Sequence, residues 1–368
     1  MLKTNTPTRR EFLAACAAAI AAGSTMASAA EVQPPPVREF RRGGMVYRRL
    51  GKTGMDVSLL SFGSHTDPAD RLPAGPEKTL LTPEGQARRD RIIAHAFDLG
   101  VNLLDVYATE GQWEPASKLV RGRRDKLLIS LAHDITPKDI DQAARFFDYV
   151  DLYRFCAQEI DQPTIENWDL LRKAKEAGKI RAIGISTHIE RTMTMALDEL
   201  EGIDFIIFPY NFIHARADYS QFLPRALGDG IGLIAMKPLA SGSIMKLDPR
   251  ARPGAKPEFE DLELWQRAGK PVLPAAVVEL TESLSRLPDE TLCMAAMRFV
   301  YSRPFLASAV TGMFEDRLLE DNYKALARYW EMRPDERSAL ESARQLAGLC
   351  GADWLPADYR WLEGQWRG

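Results

Sequence analysis

The sequence predicts an α/β protein, specifically a (β/α)8 TIM barrel with an N-terminal β-hairpin and a C-terminal extension. Three observations predict it. Eight short runs rich in Ile, Leu and Val recur along the chain, and such runs are how strands buried on both faces read. Amphipathic helical segments alternate with them, as parallel strands joined by crossover helices require. A doubly wound sheet, the rival fold, wants a Gly-x-Gly-x-x-Gly turn after its first strand, and none stands there.

Taken in order, the predicted strands are Leu59–Gly63, Val101–Asp105, Leu127–Leu131, Val150–Phe155, Arg181–Ser186, Phe205–Pro209, Ile231–Lys237 and Ala307–Thr311. Helical patterns lie between them at Gln86–Leu99, Thr164–Ala177, Arg191–Glu201, Glu290–Ser302 and Arg317–Tyr329. Gly100 and Gly178 follow two of these helices, where a left-handed residue ends a helix at least cost. Before the first barrel strand, Val46–Leu50 and Met55–Ser58 flank Gly51-Lys52-Thr53-Gly54 and read as a β-hairpin. The Pro-rich stretch from Ser243 to Pro288 reads as an insertion after the seventh strand, on the face where barrels place their chemistry. Residues 331–368, with Trp354, Tyr359, Trp361 and Trp366, read as an extension packed on the barrel or lining its mouth.

The first residues read as an address rather than a fold. Lys3, Arg9 and Arg10 precede an alanine-rich apolar run from Phe12 to Ala22, and Ala27-Ser28-Ala29 is a small-x-small cleavage pattern. The run is too short for a permanent membrane span. Thr8-Arg9-Arg10-Glu11-Phe12-Leu13 resembles a twin-arginine export motif, so residues 1–30 are expected to direct the protein to the periplasm or beyond through that machinery. Residues 31–43, with Pro34-Pro35-Pro36, read as an extended linker. Replacing Arg9 and Arg10 together by lysine is expected to leave the uncleaved protein in the cytoplasm. Fractionation and N-terminal sequencing check this, and normal delivery of the double variant would refute it.

Composition sets further bounds. The chain has 368 residues, 45% apolar and 27% charged, with a net charge of −3. That is globular, and it offers no basic surface to draw a nucleic acid. Four cysteines (Cys16, Cys156, Cys293 and Cys350) form no CxxC pair, so neither an iron–sulfur nor a zinc-ribbon pattern is present, and no metal site is assigned. Of the five histidines, His65, His133, His188 and His214 fall just past predicted strand ends. They are either solvated loop residues or acid–base or metal-binding groups on the active face.

From Tyr47-Arg48-Arg49-Leu50-Gly51-Lys52-Thr53-Gly54 onward, a series of segments resembles bacterial aldo-keto reductases. The series runs through Gly100-Val101-Asn102-Leu103-Leu104-Asp105, Tyr149-Val150-Asp151-Leu152-Tyr153, Gly178-Lys179-Ile180-Arg181-Ala182-Ile183-Gly184-Ile185-Ser186, Pro209-Tyr210-Asn211 and Met236-Lys237-Pro238-Leu239. It covers residues 44–330 in order. The resemblance implies a barrel that binds a nicotinamide dinucleotide, NADP or NAD, and reduces a small carbonyl or sugar-like ligand by hydride transfer. In that family a tyrosine delivers the proton, a lysine held by an aspartate tunes the tyrosine, and a histidine orients the carbonyl. An untuned phenol, with a pKa near ~10, is a reluctant donor at neutral pH.

Carried over residue by residue, the catalytic pattern is only partly kept. Asp105 matches the aspartate. The tyrosine's place holds Glu110, the lysine's holds Ala132 and the histidine's holds Cys156. Tyr107, two residues past Asp105, starts from a different wall and takes the tyrosine's place only if the loop is rearranged. The candidate catalytic residues are therefore Asp105, Glu110 and Cys156. For the cofactor, Ser186 matches the serine on the nicotinamide amide, with Thr187 beside it. Met236 stands where an aromatic ring normally stacks, and Pro238, Leu239 and Ser241 resemble the pyrophosphate loop. Gly312, Asp321 and Asn322 match the adenine end, while Leu318 occupies the place of an arginine that binds a 2′-phosphate. Three functions stay open on this pattern: a nicotinamide oxidoreductase with altered chemistry, a binding or scaffold protein on a degenerate barrel, and a non-redox, metal-assisted enzyme.

Overall fold

The structure is a computed structural model, and it describes residues 38–72, 80–107, 110–132, 136–211, 217, 221–239 and 290–328. The N-terminal address, most of the linker, Ser241, the insertion, the C-terminal extension, His133 and His214 lie outside the described residues.

Eight parallel strands close into a barrel. They are β4 (Leu60–Phe62), β5 (Leu103–Asp105), β6 (Leu128–Ala132), β7 (Val150–Cys156), β8 (Ile180–Ser186), β9 (Phe205–Pro209), β10 (Gly232–Met236) and β11 (Ser308–Thr311), with β11 returning to pair with β4. Each coincides with a strand read from the sequence to within two residues at either end. Around them lie α1 (Pro83–Asp98), α2 (Trp113–Val120), α3 (Pro137–Phe147), α4 (Gln162–Glu176), α5 (Glu190–Glu199), α6 (Phe222–Gly228), α7 (Leu292–Tyr301) and α8 (Asp316–Ala325). Thr82, Thr136, Asp161 and Thr291 cap four of these helices through side-chain oxygens that accept a backbone N–H of the first turn. Gly100 and Gly178, at φ +95° and +74°, end α1 and α4 as expected.

Two apolar clusters divide the interior. Leu103, Leu128, Leu152, Ala182, Ile207 and Ile234 fill the barrel itself, while residues such as Ile129, Leu131, Tyr153, Ile183 and Phe208 pack outward under the helices. This period-two alternation is why nearly every strand position is apolar. The barrel's lower end is plugged by the hairpin of β2 (Met45–Arg49) and β3 (Asp56–Ser58), whose Leu50, Met55 and Val57 join the inner cluster. Gly232 lies so close to this plug that a Cβ there would meet Leu50 Cδ1 at 2.4 Å. With that end filled, the strands' C-terminal ends are the open face.

Residues 39–42, read from the sequence as part of an unpaired linker, are paired. Glu39–Arg42 forms β1, antiparallel to β2, so the plug is a three-stranded sheet. Arg48, buried in that sheet, explains the pairing's value. It binds Glu39 at 2.7 Å and donates to the backbone carbonyls of Tyr301, Arg303 and Leu306, tying the plug to the end of α7.

Candidate active site

At the open face, β5, β6, β7 and β8 place their last inward residues in one row. Register aligns Asp105 with Ser130, Ala132 with Arg154, and Cys156 with Ser186. Parallel register puts such partners on the same face of the sheet. The row is therefore built by strand alternation: Ser130 and Ala132, Arg154 and Cys156, and Ser186 all follow inward leucines or alanines by even steps.

The strongest interaction in the row was not expected from the sequence. The Arg154 guanidinium makes two parallel bonds to Asp105, Nη1 to Oδ1 at 2.9 Å and Nη2 to Oδ2 at 3.0 Å, and Nη1 also reaches the Ser130 hydroxyl. Both side chains are almost fully buried, at 3% and 6% exposure. Two-point binding of this kind fixes orientation as well as charge. The third nitrogen, Nε, is enclosed with no hydrogen-bond partner. Ala132, where the family resemblance places a lysine, is buried beside Arg154 and carries no charge of its own.

Tyr107 also departs from expectation. Its backbone takes φ +51°, a left-handed conformation uncommon for a residue other than glycine. That turn brings the side chain back over the row. The hydroxyl lies 3.0 Å from the Cys156 thiol, and either group can donate. The ring sits 5.6 Å from the Arg154 guanidinium carbon. Cys156 in turn lies 3.3 Å from the Ser186 hydroxyl. Tyr107, Cys156 and Ser186 thus form one chain of hydrogen-bonding groups, from the turn after β5 to the ends of β7 and β8. Burial, and next the hydrogen bond shared with Cys156, hold the Tyr107 phenol above its usual value, with Arg154 pulling the other way. Glu110 opens a short turn, Glu110–Gln112, and its side chain lies outside the described residues.

The two described histidines of this face, His65 and His188, are held below the usual imidazole value. Lost hydration lowers His188 to about 3, with Lys237 adding to the effect. His65 is lowered in the same direction, mainly by lost hydration, with Asp105 opposing and Lys237, Arg71 and Arg89 adding to the effect. Among the described residues, no three His, Cys, Asp or Glu side chains are grouped so as to hold a metal ion.

The cofactor candidates gather in part. Ser186 and Thr187 are buried at the end of β8, with Thr187 N–H bonded to the Ile207 carbonyl at 3.1 Å. Met236 is half-buried at the end of β10, and Pro238 and Leu239 follow it as buried residues. Between them Lys237 takes φ +52°, and the Asn211 side chain donates to its carbonyl at 3.0 Å. Gly312 follows β11, and Asp321 and Asn322 lie on α8. Asn322 is buried with its Nδ2 atom unpartnered, and a buried donor left open is costly unless something supplies its acceptor. Leu318 packs against the outer core, while Arg317 is 75% exposed and only 3.7 Å from Asp321.

The model of the aldo/keto reductase family matches residues 138–344. The chain belongs to that family. The match agrees with curated relatives. An Arabidopsis thaliana protein described as a probable voltage-gated potassium channel subunit beta is 26% identical over 315 residues, covering 77% of this chain and 91% of the relative. The L-glyceraldehyde 3-phosphate reductase of Escherichia coli O157:H7 is 25% identical over 325 residues, covering 78% and 89%. Solved structures give the same fold. The glycerol dehydrogenase of Gluconobacter oxydans has a TM-score of 0.63 at 18% identity, covering 82% of this chain and 95% of that one. A Klebsiella pneumoniae aldo/keto reductase in complex with NADP and acetate has 0.57 at 17%, covering 79% and 93%.

Proposed function

We propose that this barrel is a nicotinamide-dinucleotide-dependent oxidoreductase acting on a small carbonyl–alcohol pair, with proton chemistry altered from that of its relatives. The observation that carries the reading is the continuous row from Asp105–Arg154 through Tyr107 and Cys156 to Ser186. It sets hydrogen-bonding groups able to hold a carbonyl oxygen beside the serine that resembles the nicotinamide contact.

The residues present fit a dinucleotide. Ser186 and Thr187 would hold the nicotinamide amide, Pro238 and Leu239 would line the pyrophosphate path, and Asn322, with its open buried donor, would meet the adenine. When bound, the dinucleotide supplies or accepts the hydride. The chain's own residues orient the substrate oxygen and handle its proton. Without a lysine at Ala132, the phenol is not tuned toward ionisation, so reduction of ordinary aldehydes at neutral pH is slow.

The adenine end sets the cofactor preference. Leu318 offers no charge to a 2′-phosphate, and the exposed Arg317 has no fixed geometry for one. NADP is expected to bind no more than about tenfold tighter than NAD, a gap of ~1.4 kcal/mol. Calorimetric titration of the purified protein with both dinucleotides checks this, and a much larger preference for NADP would contradict it. A second reading, a binding protein on a reductase barrel, draws on the uncharged Ala132. Failure to bind either dinucleotide would favour it over the oxidoreductase.

A further inference from the structure

We propose that Tyr107 is the acid–base residue of this site, and that the Asp105–Arg154 pair positions it in place of the lysine that Ala132 lacks. The proposal rests on the oxidoreductase reading and names which groups of this chain carry it out.

The geometry is a coordinated displacement of two groups. Ala132 and Arg154 are direct register partners on adjacent strands. A small side chain at 132 leaves the space beside it to Arg154, whose guanidinium crosses to Asp105 and Ser130. The positive charge beside Asp105 is thus kept, but it is delivered from β7 instead of β6. The proton donor moves in step with it. Tyr107 starts three residues earlier than the position occupied by Glu110, and its left-handed backbone turns the ring to face the relocated guanidinium at 5.6 Å. Strain of this kind persists where the surroundings hold it, and such residues cluster at functional sites. The hydroxyl ends 3.0 Å from Cys156, the residue in the carbonyl-orienting place, and Cys156 leads on to Ser186 at 3.3 Å. A substrate oxygen that enters beside Cys156 meets the Tyr107 hydroxyl.

The proton transfer balances simply. The Tyr107 O–H bond breaks as an O–H bond forms on the substrate's oxygen, and the phenolate takes its proton back from solvent past the exposed Cys156 thiol. In oxidation the steps reverse. A guanidinium, unlike an ammonium, keeps its charge over the whole working range, so the positioning pair does not switch off in mild alkali. Among the described residues the ionisable groups facing Tyr107 are Asp105, Arg154 and Cys156. Burial keeps the phenol protonated through neutral pH, so reduction that uses it is level from pH 6 to pH 8. A carboxylic acid at Glu110 would instead give a rate that climbs as the pH falls.

The test measures oxidation of the reduced dinucleotide with small aldehydes for wild type, Tyr107→Phe and Glu110→Gln from pH 5 to pH 9. Dinucleotide affinity is measured alongside. Tyr107→Phe is expected to lower turnover by ~10²- to 10⁴-fold with dinucleotide affinity unchanged within about twofold. Activity that survives Tyr107→Phe, rises in acid and is lost in Glu110→Gln would overturn the proposal while leaving the oxidoreductase reading intact. A readout independent of turnover is the ionisation of Tyr107 followed by NMR of 13Cζ-labelled tyrosine, with Tyr107→Phe assigning the signal. Arg154→Lys is expected to leave its midpoint within about half a pH unit of wild type. The double variant Asp105→Asn, Arg154→Gln strands no lone buried charge and is expected to shift the midpoint upward. A midpoint unmoved by the double variant would show that the pair does not act through Tyr107.

Discussion

Asp105→Ala is expected to destabilise the barrel by about 3–5 kcal/mol, the usual cost of stranding a buried charge. Asp105 and Arg154 are 6% and 3% exposed, and the pair is held by two bonds near 3 Å. Removing the carboxylate leaves a guanidinium whose Nε already has no partner and whose other donors keep only the Ser130 hydroxyl. At 3% exposure, Arg154 has little water contact to replace the lost carboxylate. The double variant Asp105→Asn, Arg154→Gln is expected to recover most of the loss, because neutral amides of similar size bury at far lower cost than a lone charge. Urea unfolding of wild type, Asp105→Asn, Arg154→Gln and their double variant, followed by circular dichroism, gives the coupling energy directly, with Asp105→Ala measured beside them. A loss below about 1 kcal/mol in Asp105→Ala, the range of exposed ion pairs, would show that the pair is not the buried element described here.

The barrel was legible because its strands are buried on both faces. Runs such as Phe205–Pro209 and Gly232–Met236 have few other ways to satisfy both their backbone and their apolar side chains. Short helices carried less signal. Trp113–Val120 has eight residues with Pro115 near its start, and Phe222–Gly228 has seven, too few turns for a clear 3.6-residue period. The edge strand Glu39–Arg42 reads as polar linker, because only its pairing with β2 makes it a strand.

The candidate site residues that the family resemblance named at strand ends are the ones the fold brings together. Asp105, Cys156 and Ser186 stand at the ends of β5, β7 and β8, and the structure joins them in one row. Arg154 was missed although the sequence held a signal. It lies two residues from Leu152 and two from Cys156, so it faces inward from an apolar strand, and a buried arginine needs a buried acid. That its acid is Asp105, two strands away, depends on register that only the closed barrel fixes. Tyr107 could not be read at all from pattern. Its reach depends on φ +51° at a tyrosine, a backbone state that residue type disfavours.

Hydride transfer between a nicotinamide dinucleotide and a small carbonyl, with Ala132 standing where the family resemblance places a lysine, is what we propose for this barrel. Single-turnover mixing of the purified mature protein with reduced dinucleotide deuterated at the transferred position, and a panel of small aldehydes and sugars, tests it most directly. Mass spectrometry of the product is the readout. The account predicts deuterium on the former carbonyl carbon of at least one substrate at neutral pH. A slow rate is expected, because burial holds the Tyr107 phenol above its usual value and no lysine beside it offsets this. Bound dinucleotide with no deuterium in any product would contradict it.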